Sequence, residues 1–176
     1  PHDPDGVLQA VYSNSRGAIA RFDRGSIEIR VLDLQESPAA DLAILRTVVA
    51  LLRELVAETR LPLAEQQAVP VAPLAQVFNA TVEQGESAPI HEAVLLRAAG
   101  LAPDRTVSAG DWWRRVITQL DPGANASPAE QRALEVYLRE GTLARRLGKA
   151  FRSGQSIDAI YRQLAEGAAE NQIFTA

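Results

Sequence analysis

The chain contains no cysteine and no methionine, and it has only two histidines, one lysine and few aromatic residues. Without cysteine there can be no disulfide, thiolate nucleophile or thiolate-held zinc. His2 and His91 lie far apart in sequence, which argues against a histidine-built metal centre or a Ser-His-Asp arrangement. His91 reads as a packed or solvated side chain. Lys149 stands alone among many arginines, and a net charge of -4 asks neither for nucleic acid nor for an anionic membrane surface. No signal peptide is recognisable. The longest apolar stretch is interrupted by Arg46, Arg53 and Glu54, charges that a span of about 20 residues would not tolerate cheaply, so a soluble cytoplasmic protein is expected. The lack of methionine even at position 1 predicts that these 176 residues are a piece of a longer polypeptide.

What is present is a 47% apolar chain, enough for one core. Its most informative segment is Arg24-Gly25-Ser26-Ile27-Glu28-Ile29-Arg30-Val31-Leu32-Asp33. Strand alternation sends Ile27, Ile29 and Val31 to one face and Glu28, Arg30 and Leu32 to the other. Upstream, Ala18-Ile19-Ala20-Arg21-Phe22 alternates too, and Asp23-Arg24-Gly25-Ser26 between the runs is turn-like, so the two predict a β-hairpin. Arg16, Arg21, Arg24 and Arg30 would then gather beside Glu28, Asp23 and Asp33. Two readings stand. Guanidinium forks match phosphate oxygens and a carboxylate supplies the hard oxygen that Mg²⁺ prefers, or the same charges form cross-strand ion pairs on a solvated face.

The segment Asn14–Asp33 also resembles a known family. It looks like the sheet motif of the glutamate-cysteine ligase and carboxylate-amine ligase family: a small residue, then I/V-E-x-R-x-x-D, here Ser26 to Asp33, followed by a helix from Ser37. The remainder resembles the family loosely, as a helical C-terminal portion. The resemblance implies an ATP-dependent enzyme that joins a small-molecule carboxylate to an amine through an acyl phosphate. Glu28 would be a Mg²⁺ ligand, and Arg30 a catalytic contact to the terminal phosphate of ATP or to the acyl phosphate. It further implies a glutamine synthetase-like catalytic fold, with the hairpin belonging to a larger antiparallel sheet and an N-terminal half absent from this chain. From their placement alone, Arg21 and Arg16 are candidate nucleotide- or substrate-binding groups.

The other elements are read from caps and breakers. Val7–Tyr12 is open between strand and helix. Ser37-Pro38 starts a helix to about Thr59, whose many apolar positions predict a central core helix packed across the sheet. A proline-punctuated connection through Pro62, Pro70 and Pro73 leads to helices expected over 74–83, 91–99 and 108–120, with Ala88–Ile90 extended. Ser127-Pro128-Ala129-Glu130 is a capping box opening a helix to about Glu140, Gly141 breaks it, and Thr142–Arg152 continues. Ser156 caps a last helix to about Glu166, with a frayed tail from Ala168. Gly141 to Lys149 has six residues between Gly141 and Gly148, where a phosphate loop has four, and is helix-forming. Arg145, Arg146, Lys149 and Arg152 read as a solvated basic face, or as a contact for an acidic partner or nucleotide. Trp112 and Trp113 point about 100° apart on a helix, so one is assigned to the core and the other to a seam or interface.

The expectation is an α+β chain, mostly helical, forming a single unit over 1–176: 1–36 the sheet hairpin and 37–176 the helical part. The alternative function is a non-catalytic helical protein-interaction module. Homo-oligomerisation stays open.

Overall fold

A computed structural model describes residues 5, 17–120 and 126–176 of the protein. The chain divides between Leu34 and Gln35 into two compact units. The first contains a hairpin of β1 (Ala18–Arg21) and β2 (Ser26–Ile29), antiparallel, with Arg21 opposite Ser26 and Ile19 opposite Glu28. The second is mostly helical: α1 (Pro38–Val56), α2 (Leu63–Ala68), α3 (Val71–Gln84), α4 (Ala93–Ala98), α5 (Ala109–Leu120), α6 (Pro128–Glu140), α7 (Leu143–Arg152) and α8 (Ile157–Glu170). It also holds a minimal antiparallel pair, β3 (Pro89–Ile90) with β4 (Val107–Ser108). The α+β class is as expected; Val7–Tyr12 lies outside the described residues.

Local chemistry accounts for the helix ends. The hydroxyls of Ser37, Ser127, Thr142 and Ser156 each accept a hydrogen bond from the amide three residues on. At Ser127 the box is reciprocal, since the Glu130 carboxylate also accepts from the Ser127 amide at 2.6 Å. Gly141 parts α6 from α7 with φ 87° and ψ -167°, backbone that essentially only glycine adopts. A Cβ there would also lie 2.7 Å from Glu86 Oε1, so the Glu86 carboxylate would have to shift.

Helix α1, expected as a central core helix, is buried along one side only. Ala39, Ala40, Ala43 and Thr47 form the buried side, Ala40 and Ala43 against Ala133 and Leu134 of α6, while Leu42, Leu45 and Val56 are exposed. Small side chains let two helix backbones approach closely. The buried Thr47 hydroxyl is satisfied by donating to the Ala43 carbonyl at 2.9 Å. The helix ends at Val56, three residues short of Thr59, and Glu58 takes positive φ. A second cluster, Val77, Ala88, Ile90, Leu96 and Ala109, joins α3, α4 and α5 around the β3–β4 pair. The half-buried Trp112 packs on this cluster and donates its indole N–H to the Leu95 carbonyl at 2.7 Å, whereas Trp113 is exposed and meets it edge-on. A third cluster, Ala150, Ile160 and Phe174, joins α7 and α8 to the C-terminal segment.

That third cluster overturns two expectations. The tail is not frayed: α8 runs to Glu170, Asn171 reverses the chain in left-handed backbone, and Phe174 is buried. The Asn171 side chain accepts from the Ala39 amide at 2.8 Å, adding an acceptor at the α1 N-terminus. The basic run on α7 departs from expectation at one residue: Arg146 is fully buried, whereas Arg145, Lys149 and Arg152 are exposed as expected, Arg145 pairing with Glu86 at 2.5 Å and Lys149 donating to the Ala176 carbonyl. A short helix also forms where the sequence suggested only a proline-rich connection: α2, with Pro62 at its N-cap. Proline is tolerated at a helix start because the amide it lacks would be unpaired there.

Candidate functional site

Two charged constellations stand out, one in each unit. In the hairpin, the Arg24 amide donates to the Arg21 carbonyl at 3.0 Å and Gly25 adopts φ +59°, which closes the turn. The register puts Arg21 and Glu28 on one face, with Ala18, Ala20, Ile27 and Ile29 on the other. The Arg30 amide bonds the Gly17 carbonyl at 2.8 Å, extending the pairing one residue beyond β2 and placing Arg30 on the same face as Glu28.

The side chains on that face form a chain of contacts. Arg21 grips both oxygens of Asp23, Nε to Oδ1 at 3.2 Å and Nη2 to Oδ2 at 3.1 Å. Its Nη1 donates to Glu28 Oε2 at 3.0 Å, and Arg30 Nε donates to the other oxygen, Oε1, at 2.9 Å. The Arg21 guanidinium, with help from Arg30, holds the Glu28 carboxyl below the usual carboxylate range. Arg21 does the same to Asp23, and the two acids in turn raise the arginine. The structure thus brings Arg21, Glu28 and Arg30 together; Arg16 lies outside the described residues. Glu28 remains reachable, with 38% of its side chain exposed against 26% for Arg30. Among the described residues no three of Asp, Glu and His gather as a metal-ligand set.

The second constellation was not read from the sequence. Arg146 of α7 has no exposed side-chain surface and pairs at 2.6 Å with Glu36, whose side chain is 1% exposed. Arg146 Nη1 also reaches the Phe174 carbonyl, and Nε donates to the Gly141 carbonyl at 3.1 Å. The guanidinium lies 4.9 Å over the Tyr137 ring. The Tyr137 hydroxyl contacts Glu36 Oε2 at 3.0 Å and Gln35 Oε1 at 2.7 Å, and burial pushes its pKa up. A cavity of about 400 Å³ opens beside this network, lined by Glu36, Gln163, Gly167, Glu170 and Phe174 among others. A signal for the burial was present: Leu143, Arg146, Leu147 and Ala150 fall at i, i+3, i+4 and i+7, the spacing of a core-facing stripe.

No family model matches the sequence, and no solved structure matches it. An uncharacterized protein of Archaeoglobus fulgidus is 35% identical over 79 residues, which cover 45% of this chain. The chain spans 19% of that relative's length. Among the described residues no helix is long and apolar enough to cross a membrane.

Proposed function

We propose that this chain carries the phosphoryl-handling strand of an ATP-dependent carboxylate-amine ligase of glutamate-cysteine ligase type. One observation carries the reading: Glu28 and Arg30, the two motif residues given roles, sit side by side on one strand face, 2.9 Å apart and open to solvent. In the reaction, a carboxylate oxygen of one substrate attacks the γ-phosphorus of ATP and ADP leaves. The amine nitrogen of the second substrate then attacks the acyl carbon, phosphate leaves, and the nitrogen gives up a proton. Arg30 would face the transferring phosphoryl group, where a planar fork matches its oxygens.

Glu28 would give a Mg²⁺ ion one hard carboxylate only by releasing Arg21 or Arg30, which hold its two oxygens; phosphates and further carboxylates would have to supply the rest. Such an ion neutralises phosphate charge when bound. On this reading the other strands and acidic ligands of the catalytic domain lie outside the hairpin. A two-stranded sheet is marginal alone and persists best with further strands or a packed helix.

A specific observation supports the second reading, a non-catalytic interaction module. Both Glu28 oxygens already hold a guanidinium, and α1 presents Leu42, Leu45 and Val56 to solvent. The deciding experiment is amide-bond formation and Mg²⁺ titration in the natural polypeptide that contains this chain, with Glu28→Gln and Arg30→Lys measured beside their melting temperatures. Both variants should lose most turnover with little change in stability, Arg30→Lys because lysine keeps the charge but not the fork. Wild-type turnover in both, or activity falling only in step with stability, would hand the hairpin to the interaction reading.

A further inference from the structure

We infer that α1 is a dimerisation helix, which pairs in parallel with α1 of a second copy of this chain along Leu42, Leu45, Val49, Leu52 and Val56. The inference is independent of the hairpin and of any chemistry there. These residues follow one another at spacings of three, four, three and four, a seven-residue repeat that keeps them in one stripe along the helix. At 100° per residue the stripe lies opposite Ala40, Ala43 and Thr47, the buried side of α1. Leu42, Leu45 and Val56 are 48%, 55% and 84% exposed, and Val49 and Leu52 are half-buried. A helix that buries one side carries polar residues on the other unless that side too has a partner.

The stripe itself specifies which partner. In heptad terms Leu42, Val49 and Val56 take the first position and Leu45 and Leu52 the fourth. β-branched residues at the first position with leucine at the fourth favour two parallel strands. The charges beside the stripe agree. In a parallel pair Asp41 on one helix faces the partner's Arg46, five residues on, and two-fold symmetry makes the contact twice. An antiparallel pair would instead set Arg46 of one copy against the partner's Arg53, like charge against like. Glu130 takes the Nε of Arg46 and steadies that side chain beside the stripe, with 44% of it in solvent. Asp41 accepts from the Gln35 amide at 3.3 Å, which steadies the other side. The stripe is about 21 Å long, too short to hold two free peptides in helices. Here α1 is already folded against α6, so pairing has no helix to order.

The test uses the natural polypeptide that contains this chain. Sedimentation equilibrium at micromolar concentration should show a dimer. Leu45→Glu should raise its dissociation constant about a hundredfold or more, because pairing would strip water from two carboxylates. The melting temperature, read at dilutions where both proteins are monomers, should not change. Direction is read from Val56→Cys, in a background whose cysteines outside these 176 residues are replaced by serine, since the chain has none of its own. In a parallel pair the two substituted residues lie side by side and mild oxidation should give a disulfide-linked dimer. In an antiparallel pair they would lie about 21 Å apart. A monomeric wild type overturns the inference, and so does a dimer that survives Leu45→Glu or a Val56→Cys protein that does not cross-link. If Leu45→Glu unfolds the protein, Val56→Cys decides, at a position 84% exposed.

Discussion

Replacing Arg146 with methionine should be among the most damaging single substitutions in the helical unit. Methionine roughly fills the volume of the aliphatic stem, so little cavity is made, and the loss is electrostatic. The 2.6 Å bond to Glu36, the bonds to the Phe174 and Gly141 carbonyls and the contact over the Tyr137 ring all go. The Glu36 carboxylate is left buried without its cation, keeping the contact to the Tyr137 hydroxyl. Breaking a buried ion pair by removing one partner costs about 3–5 kcal/mol. Against a total stability of about 5–15 kcal/mol, that is a large share. For a chain of this size the loss corresponds to a melting temperature lower by roughly 6–20 °C, read by calorimetry or by circular dichroism in a urea series. Removing the second charge should help: Arg146→Met with Glu36→Gln should be more stable than Arg146→Met alone. No buried charge is then unpaired, and the amide oxygen introduced by Glu36→Gln can still accept from the Tyr137 hydroxyl. A cost under about 1 kcal/mol for Arg146→Met would refute the reasoning, and so would a double variant less stable than the single one.

Gly141→Ala should destabilise by about 1–3 kcal/mol through its backbone region alone. The added methyl would also press on Glu86 and Arg145, so chemical denaturation showing no loss would mean that the α6–α7 junction is wrongly placed. Acid should reveal Glu130, whose carboxyl is held down to about 2 from 4.5, first by Arg46 and then by the Ser127 amide and hydroxyl. Because the folded value lies below the unfolded one, this contribution is present above about pH 4.5 and is lost as pH falls toward 2. Stability measured from pH 6 to 2 should therefore fall less steeply in Glu130→Gln than in the wild type, and parallel curves would contradict the assignment.

What the sequence disclosed were features set by neighbours a few residues away. Ser37, Ser127, Thr142 and Ser156 cap helices because a hydroxyl and an amide three residues on are close in any helix start. The hairpin followed from a period of two and a glycine in the turn. Features that depend on distant partners stayed hidden. Nothing local in α1 says that its alanine side, and not its leucine side, meets α6. Nothing near Phe174 says that its carbonyl will serve an arginine 28 residues earlier. The same limit applied at the site: alternation placed Glu28 and Arg30 on one face, but the grip of Arg21 on Asp23 is a matter of side-chain rotamers, to which strand periodicity is blind.

The two arginine–glutamate pairs, chemically alike, separate by depth. Arg146 and Glu36 have lost almost all contact with water, and any ligand taking one of them would strand the other charge in a medium that stabilises it poorly. That pair is fixed, and it serves the fold by tying α7 to the segments at Glu36 and Phe174. Arg21, Glu28 and Arg30 keep between a fifth and two-fifths of their side-chain surface in solvent. There an ion pair is worth little on its own, so a guanidinium can exchange a carboxylate oxygen for a phosphate oxygen at small cost, while water screens whatever is uncovered. Of the two constellations the hairpin can therefore trade partners without unfolding, which is the property a ligand site needs and which the tighter pair, by its burial, has given up.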